Sequence, residues 1–270
     1  MLKDANIDAI GNTVEGIMSL KDKHVVVTGA SKGIGAAIVD ALAAEGAKIT
    51  LMGRSLAGLE QKAEGLAQAQ CVAVDVMDPE AVSTGFAKAR EGFGTIDVLI
   101  NNAGQAATAP FHKMDHGTWR QMMGVNLDSV FFCCQEAIAD MRPAKAGRII
   151  NIASTAALKG YGYVSAYVAA KHGVLGLTRA LALETAQHGI TVNAVCPGYT
   201  ETELVRDSIK TIMDKTGRSE DEARAELAKS NPQGRLIQPE EVADTVLWLC
   251  RANSASITGQ AIAVAGGEVM

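Results

Sequence analysis

Thr28-Gly29-Ala30-Ser31-Lys32-Gly33-Ile34-Gly35 decides the fold. A β-branched run, His24–Thr28, leads into it, and an Ala-rich run with helical spacing leads out. Gly29 permits a tight turn with an unusual φ, Gly33 presents no Cβ to a phosphate, and Gly35 lets helix and strand pack closely. The helix that starts here turns its free N–H groups and positive dipole end towards an anion. Strand, glycine turn and helix in that order predict a βα unit that cradles a pyrophosphate.

Outward from this turn the same alternation continues. Strands are predicted at His24–Thr28, Lys48–Met52, Cys71–Val74, Val98–Asn101, Arg148–Ile152, Thr191–Val195 and Ala261–Val264. Helices are predicted near Gly35–Ala44, Leu56–Ala67, Pro79–Arg90, His116–Met141, Ser165–His188 and Pro239–Cys250. Such alternation predicts an α/β fold, a doubly wound, seven-stranded parallel sheet with helices on both faces and right-handed crossovers. With 270 residues, the chain suits one large domain over residues 21–270. Residues 1–20 read as an appended arm with a weak helical pattern at Ile7, Ile10, Val14 and Ile17. Residues 201–235 are polar and charged, with a helical stretch at Asp221–Lys229. They follow the sixth strand's C-terminal end, where open parallel sheets bind ligands, and are read as a lid over the substrate.

Composition narrows the function. Hydrophobic residues make up 48% of the chain and aromatic residues only 4%, so the core is built of Ala, Val, Ile and Leu. A net charge of −5 argues against a chain made to neutralise nucleic-acid phosphates. No apolar run is long enough to span a membrane. The five cysteines are odd in number, and Cys133 and Cys134 are adjacent in an apolar run. They read as small buried hydrophobes of a reducing compartment, the cytoplasm. His24, His112, His116, His172 and His188 are scattered without ligand spacing, so no metal site is expected.

A nucleotide with a free ribose 2′-OH calls for a carboxylate about 20 residues past the glycines. That place reads Leu51-Met52-Gly53-Arg54-Ser55, with no acid. Arg54 and Lys32 suit a 2′-phosphate through charge-assisted hydrogen bonds, so NADP(H) is expected, with NAD(H) the alternative. Tyr167 and Lys171 stand at i and i+4 on a predicted helix and share a face. One cation about 4–5 Å away stabilises a phenolate by roughly 3–4 kcal/mol, which predicts a tyrosine drawn down towards acid/base work at neutral pH. Nicotinamide chemistry needs such a group, because the cofactor handles the hydride and the protein must handle the proton.

Taken together, the spaced turn T-G-x-x-x-G-x-G, Asn101-Asn102-Ala103-Gly104, Asn126, Ser154, the Tyr167/Lys171 pair and Pro197-Gly198-Tyr199-Thr200-Glu201-Thr202 resemble the short-chain dehydrogenase/reductase family. The resemblance runs from about Leu20 to Gly267. It implies a Rossmann-type domain and an Asn126–Ser154–Tyr167–Lys171 tetrad acting on CH–OH groups. In that tetrad Asn126 holds a relay water, Ser154 meets the substrate oxygen, and Lys171 also holds the nicotinamide ribose. The cofactor would be lined by Gly29, Ser31, Lys32, Gly33, Ile34, Gly35, Arg54, Asp75, Val76, Asn102, Ala103, Gly104, Tyr167, Lys171, Pro197, Gly198, Thr200 and Thr202. A homotetramer built on the helices His116–Met141 and Ser165–His188 is implied as well.

For the substrate, the C-terminal half is similar to bacterial 3-hydroxybutyrate dehydrogenases and 3-oxoacyl reductases. Ala106, Ala156 and Val164 stand where the former carry polar carboxylate-binding side chains. A small free acid would lack its anchors, and an uncharged or larger ketone, or a thioester, fits better. Lys145 and His188 fall near the docking positions of reductases that act on carrier-protein thioesters. Tyr161, Tyr163 and Tyr199 are expected to wall the pocket, with Ala156 beside them. The alternative is a nucleotide-binding subunit or regulator without catalysis; loss of Ser154, Tyr167 or Lys171 would mark it, and all three are present.

Overall fold

A computed structural model describes residues 19–270. The arm's apolar pattern from Ile7 to Ile17 lies outside the described residues. Seven strands, β1 (His24–Thr28), β2 (Lys48–Gly53), β3 (Ala69–Ala73), β4 (Val98–Asn101), β5 (Gly147–Ile152), β6 (Ile190–Pro197) and β7 (Ala261–Val264), form one sheet in the order 3-2-1-4-5-6-7. All neighbouring strands run parallel. The order reverses between β1 and β4, so their C-terminal ends open the crevice in which such sheets bind ligands.

Period-two alternation divides the core in two. Val26, Leu99, Ile149, Val192 and Ala194 face one side. There they meet α3 (Pro79–Phe93), α5 (Ser129–Ala144) and α6 (Ser165–Thr185). Val25, Val27, Ile49, Leu51, Ile100 and Ile150 face the other. There they meet α1 (Gly33–Ala44) and α9 (Pro239–Cys250). Strands covered on both faces have no room for solvent-facing polar alternation, hence the near-continuous Val and Ile runs.

Several boundaries differ from the sequence expectation. α2 (Leu56–Ala63) stops before Gly65, whose φ of +81° leaves the helix, rather than running to Ala67. β3 starts two residues earlier than Cys71. The expected helix His116–Met141 is split into α4 (His116–Met123), a π turn (Gly124–Asp128) and α5. The 201–235 segment carries two helices, α7 (Glu203–Thr216) and α8 (Glu220–Ala228), of which only the second was expected. Among the described residues no helix is long and apolar enough to cross a membrane.

Candidate active site

The glycine turn is pinned to β4 by two side chains. Thr28 Oγ1 accepts from the backbone N–H groups of Asn102 and Ala103, both at 3.0 Å. Asn102 Nδ2 donates to the Thr28 and Gly29 carbonyls, again at 3.0 Å. Gly29 (φ +65°) and Gly33 (φ +56°) hold conformations that strain other residues. A Cβ on Gly29 would stand 2.9 Å from the Ala103 Cα, and one on Gly33 would press on Thr202 at 3.1 Å. One on Gly35 would run into the Gly29 carbonyl and the Asn102 amide. The three glycines thus keep open a backbone cradle at the N-terminus of α1, and a dinucleotide pyrophosphate fits it.

Around this cradle the expected cofactor residues gather, with differing exposure. Thr202 opens α7, and its hydroxyl donates to the Thr200 carbonyl at 3.2 Å. Thr200 is buried, donates to the Gly198 carbonyl at 3.0 Å, and bridges to Ile237. Ser31 and Ile34 are half-buried in the turn, and Arg54 is exposed at the end of β2. Val76 is buried in the core, while Asp75 is exposed and caps its own turn by accepting from the Met77 N–H at 3.0 Å. Lys32 is exposed and paired with Glu203, at the start of α7. That partner was not legible beforehand, because 171 residues separate the two.

The tetrad converges from three places: the π turn, the end of β5, and α6, which carries both Tyr167 and Lys171. Asn126 lies in the π turn, fully buried. Its Nδ2 donates to the Gln105 carbonyl at 2.9 Å and the Met122 carbonyl at 3.0 Å, and its Oδ1 accepts from the Gln105 N–H at 3.2 Å. Asparagine is a poor helix former, and here its side chain instead satisfies the irregular backbone around it. A Cβ on Gly104 would meet Asn126 Oδ1 at 2.9 Å and Lys171 Nζ at 3.7 Å, so this glycine keeps the two side chains in one space. Ser154 leaves β5 in extended conformation and accepts from the Ala156 N–H at 3.1 Å.

Lys171 is buried at 4% exposure and donates to the Ile152 carbonyl at 2.8 Å. Its ammonium sits 5.7 Å from the centre of the Tyr167 ring. Burial draws the Lys171 pKa down to about 8, with the nearby Cys196 opposing. Tyr167 differs from the expectation. Burial raises its pKa above the ordinary phenol, a hydrogen bond with Ser154 pulls it back, and Tyr199 and Cys196 push it further up. The desolvation of the phenolate outweighs the hydrogen bond from Ser154, so the net direction is upward in spite of the neighbouring ammonium.

Above the tetrad, Tyr161 and Tyr199 meet edge to face at 6.4 Å, and Tyr199 is 37% exposed. Tyr163 is exposed and holds a positive φ of 67°. Its carbonyl accepts from the Ala109 N–H at 2.8 Å, tying the loop after β5 to the loop after β4. Ala106 is exposed beside this tie, whereas Ala156 is buried within a single 3₁₀ turn. Glu268 was missed altogether, since a lone acid two residues before Met270 carries no sequence signal.

The family model described as short chain dehydrogenase matches residues 23–212. The chain belongs to the short-chain dehydrogenase family. It is 40% identical over 246 residues to an acetoacetyl-CoA reductase of Rhizobium meliloti (strain 1021), covering 90% of this chain and 97% of the relative. It is 35% identical over 254 residues to a 3-oxoacyl-[acyl-carrier-protein] reductase of Vibrio cholerae, covering 94% and 100%. Among solved structures, actinorhodin polyketide ketoreductase with NADPH superposes with a TM-score of 0.88 at 35% identity, covering 91% of this chain and 97% of that one. This short-chain dehydrogenase is therefore an NAD(P)-dependent oxidoreductase of CH–OH groups, and its seven-stranded Rossmann-type sheet is that of its relatives.

Proposed function

We propose that this enzyme reduces the ketone of a neutral 3-oxoacyl thioester or a comparable hydrophobic ketone, using NADP(H), with Tyr167 as the proton-transferring group. The convergence of Asn126, Ser154, Tyr167 and Lys171 beside the glycine cradle carries this reading. The names of the reductases it is similar to support the thioester. When bound, the nicotinamide supplies or takes the hydride at the substrate carbon. The chain does the rest. Gly29, Gly33 and Gly35 keep the phosphate cradle open, with Ser31, Ile34, Asn102, Ala103 and Gly104 lining the crevice. Pro197, Gly198, Thr200 and Thr202 flank its far side, and Asp75 and Val76 stand at the adenine end. Ser154 holds the carbonyl oxygen, Tyr167 gives it a proton, and Lys171 resupplies that proton, fed in turn through a relay water that Asn126 holds. Residues 201–235 cover the substrate. The lid's first helix begins at Thr202, which packs on Gly33, so closure and cofactor binding share a contact. The active form is a homotetramer of the cytoplasm.

The test mixes NADPH with a panel of ketones, 3-oxo esters and 3-oxoacyl thioesters and follows the loss of nicotinamide absorbance. Turnover on the thioesters is expected. Tight NADPH binding with no turnover on any member overturns the assignment in favour of a nucleotide-binding subunit.

NADP(H) over NAD(H) rests on Arg54, exposed at the end of β2 with no acid beside it in the turn. Arg54→Asp exchanges a phosphate ligand for a ribose ligand. The ratio of kcat/KM for NADPH over NADH is expected to fall by at least about tenfold, the loss of one charge-assisted contact. A ratio that does not move places the 2′-phosphate elsewhere.

A further inference from the structure

Glu268 hangs at the end of a turn built by Gly266 (φ +58°) and Gly267 (φ +94°). The turn delivers its side chain back under the substrate wall, where it is 1% exposed. Its Oε1 accepts from the Tyr161 hydroxyl and pairs with Lys159 Nζ at 3.0 Å. Because Tyr161 donates to the carboxylate, the 2.6 Å contact between Tyr161 and Thr155 has Thr155 as donor. Thr155 follows Ser154 directly. Glu268 Oε2 is buried with no hydrogen-bond partner. It lies against Gly198, where a Cβ would stand 3.0 Å away. Gly198 and Tyr199 leave the end of β6 on the side of the tetrad. A buried carboxylate with one oxygen unsatisfied thus stands between the loop bearing Ser154 and the segment after β6.

We infer that Glu268 sets the charge specificity of the substrate pocket: its buried carboxylate bars substrates that carry a carboxylate beside the reacting ketone and admits their neutral esters and thioesters. The inference deepens the 3-oxoacyl reading above and rests on it. The balancing cation does not cancel the effect. Lys159 is 37% exposed and screened by solvent, whereas the carboxylate is 1% exposed beside Gly198, so at the buried end of the pocket the carboxylate's field is the less screened of the two. Like charges brought together in a desolvated site cost enough to exclude a ligand. The absence of polar anchors at Ala106, Ala156 and Val164 acts in the same direction.

The test uses the full chain saturated with NADP⁺ at pH 7 and measures binding of ethyl acetoacetate and acetoacetate by calorimetry. The wild type is expected to bind the ester at least about tenfold tighter than the acid. Glu268→Gln keeps the shape, removes the charge, and should close most of that gap. Lys159→Met, on an exposed side chain, leaves the carboxylate uncompensated and should widen it. A purely structural role would move both ligands together and both variants in the same direction. A preference unchanged in Glu268→Gln and in Lys159→Met overturns the inference, and Lys159→Met decides alone if Glu268→Gln does not fold. Binding is read without turnover, so a failure of the reductase assignment shows in the NADPH assay and not here.

Discussion

Tyr167→Phe lowers turnover by about 10²–10⁴-fold, the usual worth of a positioned acid or base, while NADPH binds as before. The substitution removes one oxygen from a half-buried ring and leaves the glycine cradle, Thr28 and Asn102 in place. The pH behaviour follows from the direction of the shift. Tyr167 is held above the ordinary phenol by burial, so it stays protonated through neutral pH and is ready as an acid. Ketone reduction should therefore be level across neutral pH. Alcohol oxidation needs the phenolate and should climb as pH rises. Steady-state rates in both directions from pH 6 to 10 check this. More than about a tenth of wild-type turnover left in Tyr167→Phe removes the tyrosine from the proton transfer.

Lys171→Met abolishes the reaction and also changes how stability depends on pH. The buried ammonium has a pKa of about 8, against an ordinary lysine near 10.5 in the unfolded chain. Between those values the unfolded chain binds more protons than the folded one, so the wild type gains stability as pH rises through this window. Below about 8 both states are protonated, and the folded state bears the whole cost of the buried charge. Methionine carries no such cost. The variant also leaves the Ile152 carbonyl without its donor, a loss nearly independent of pH. The stability of the variant minus that of the wild type should therefore fall by roughly 3 kcal/mol between pH 7 and pH 10.5. Denaturant unfolding at several pH values measures it. A difference flat with pH would mean that the lysine is solvated in the folded state.

The parts of this site that depend on chain-local chemistry were legible in the sequence. Gly29, Gly33 and Gly35 announce the cradle because only their missing Cβ atoms allow it. Tyr167 and Lys171 are joined by one helical turn. Helix α7 was not expected: Val205, Ile209 and Ile212 mark one helical face, but the polar content of the segment obscured them. What stayed hidden is what the tertiary fold brings together. Gln105 meets Asn126 only once β4 lies beside the π turn, and Lys32 meets Glu203 only once the segment after β6 reaches across to the turn after β1. Glu268 reaches Tyr161 across 107 residues. The direction of the Tyr167 shift was hidden for a related reason. A cation's pull can be estimated from spacing, but desolvation depends on how deeply the fold sinks both groups.

The π turn at Gly124–Asp128 fits one residue more than a regular helical turn would hold. It works as a phase shifter. Each residue of an α-helix advances about 100°, so the added residue sets α4 out of step with α5. α5 can then press Val130, Cys133 and Cys134 into the sheet's core. In the other phase Met122 and Val125 pack on Ala166, one residue before Tyr167. Deleting a single residue here would leave composition, charge and helix content almost untouched. It would nevertheless turn either the core face of α5 or the face beside the tyrosine towards water. Length, and not residue type alone, is what this segment must conserve.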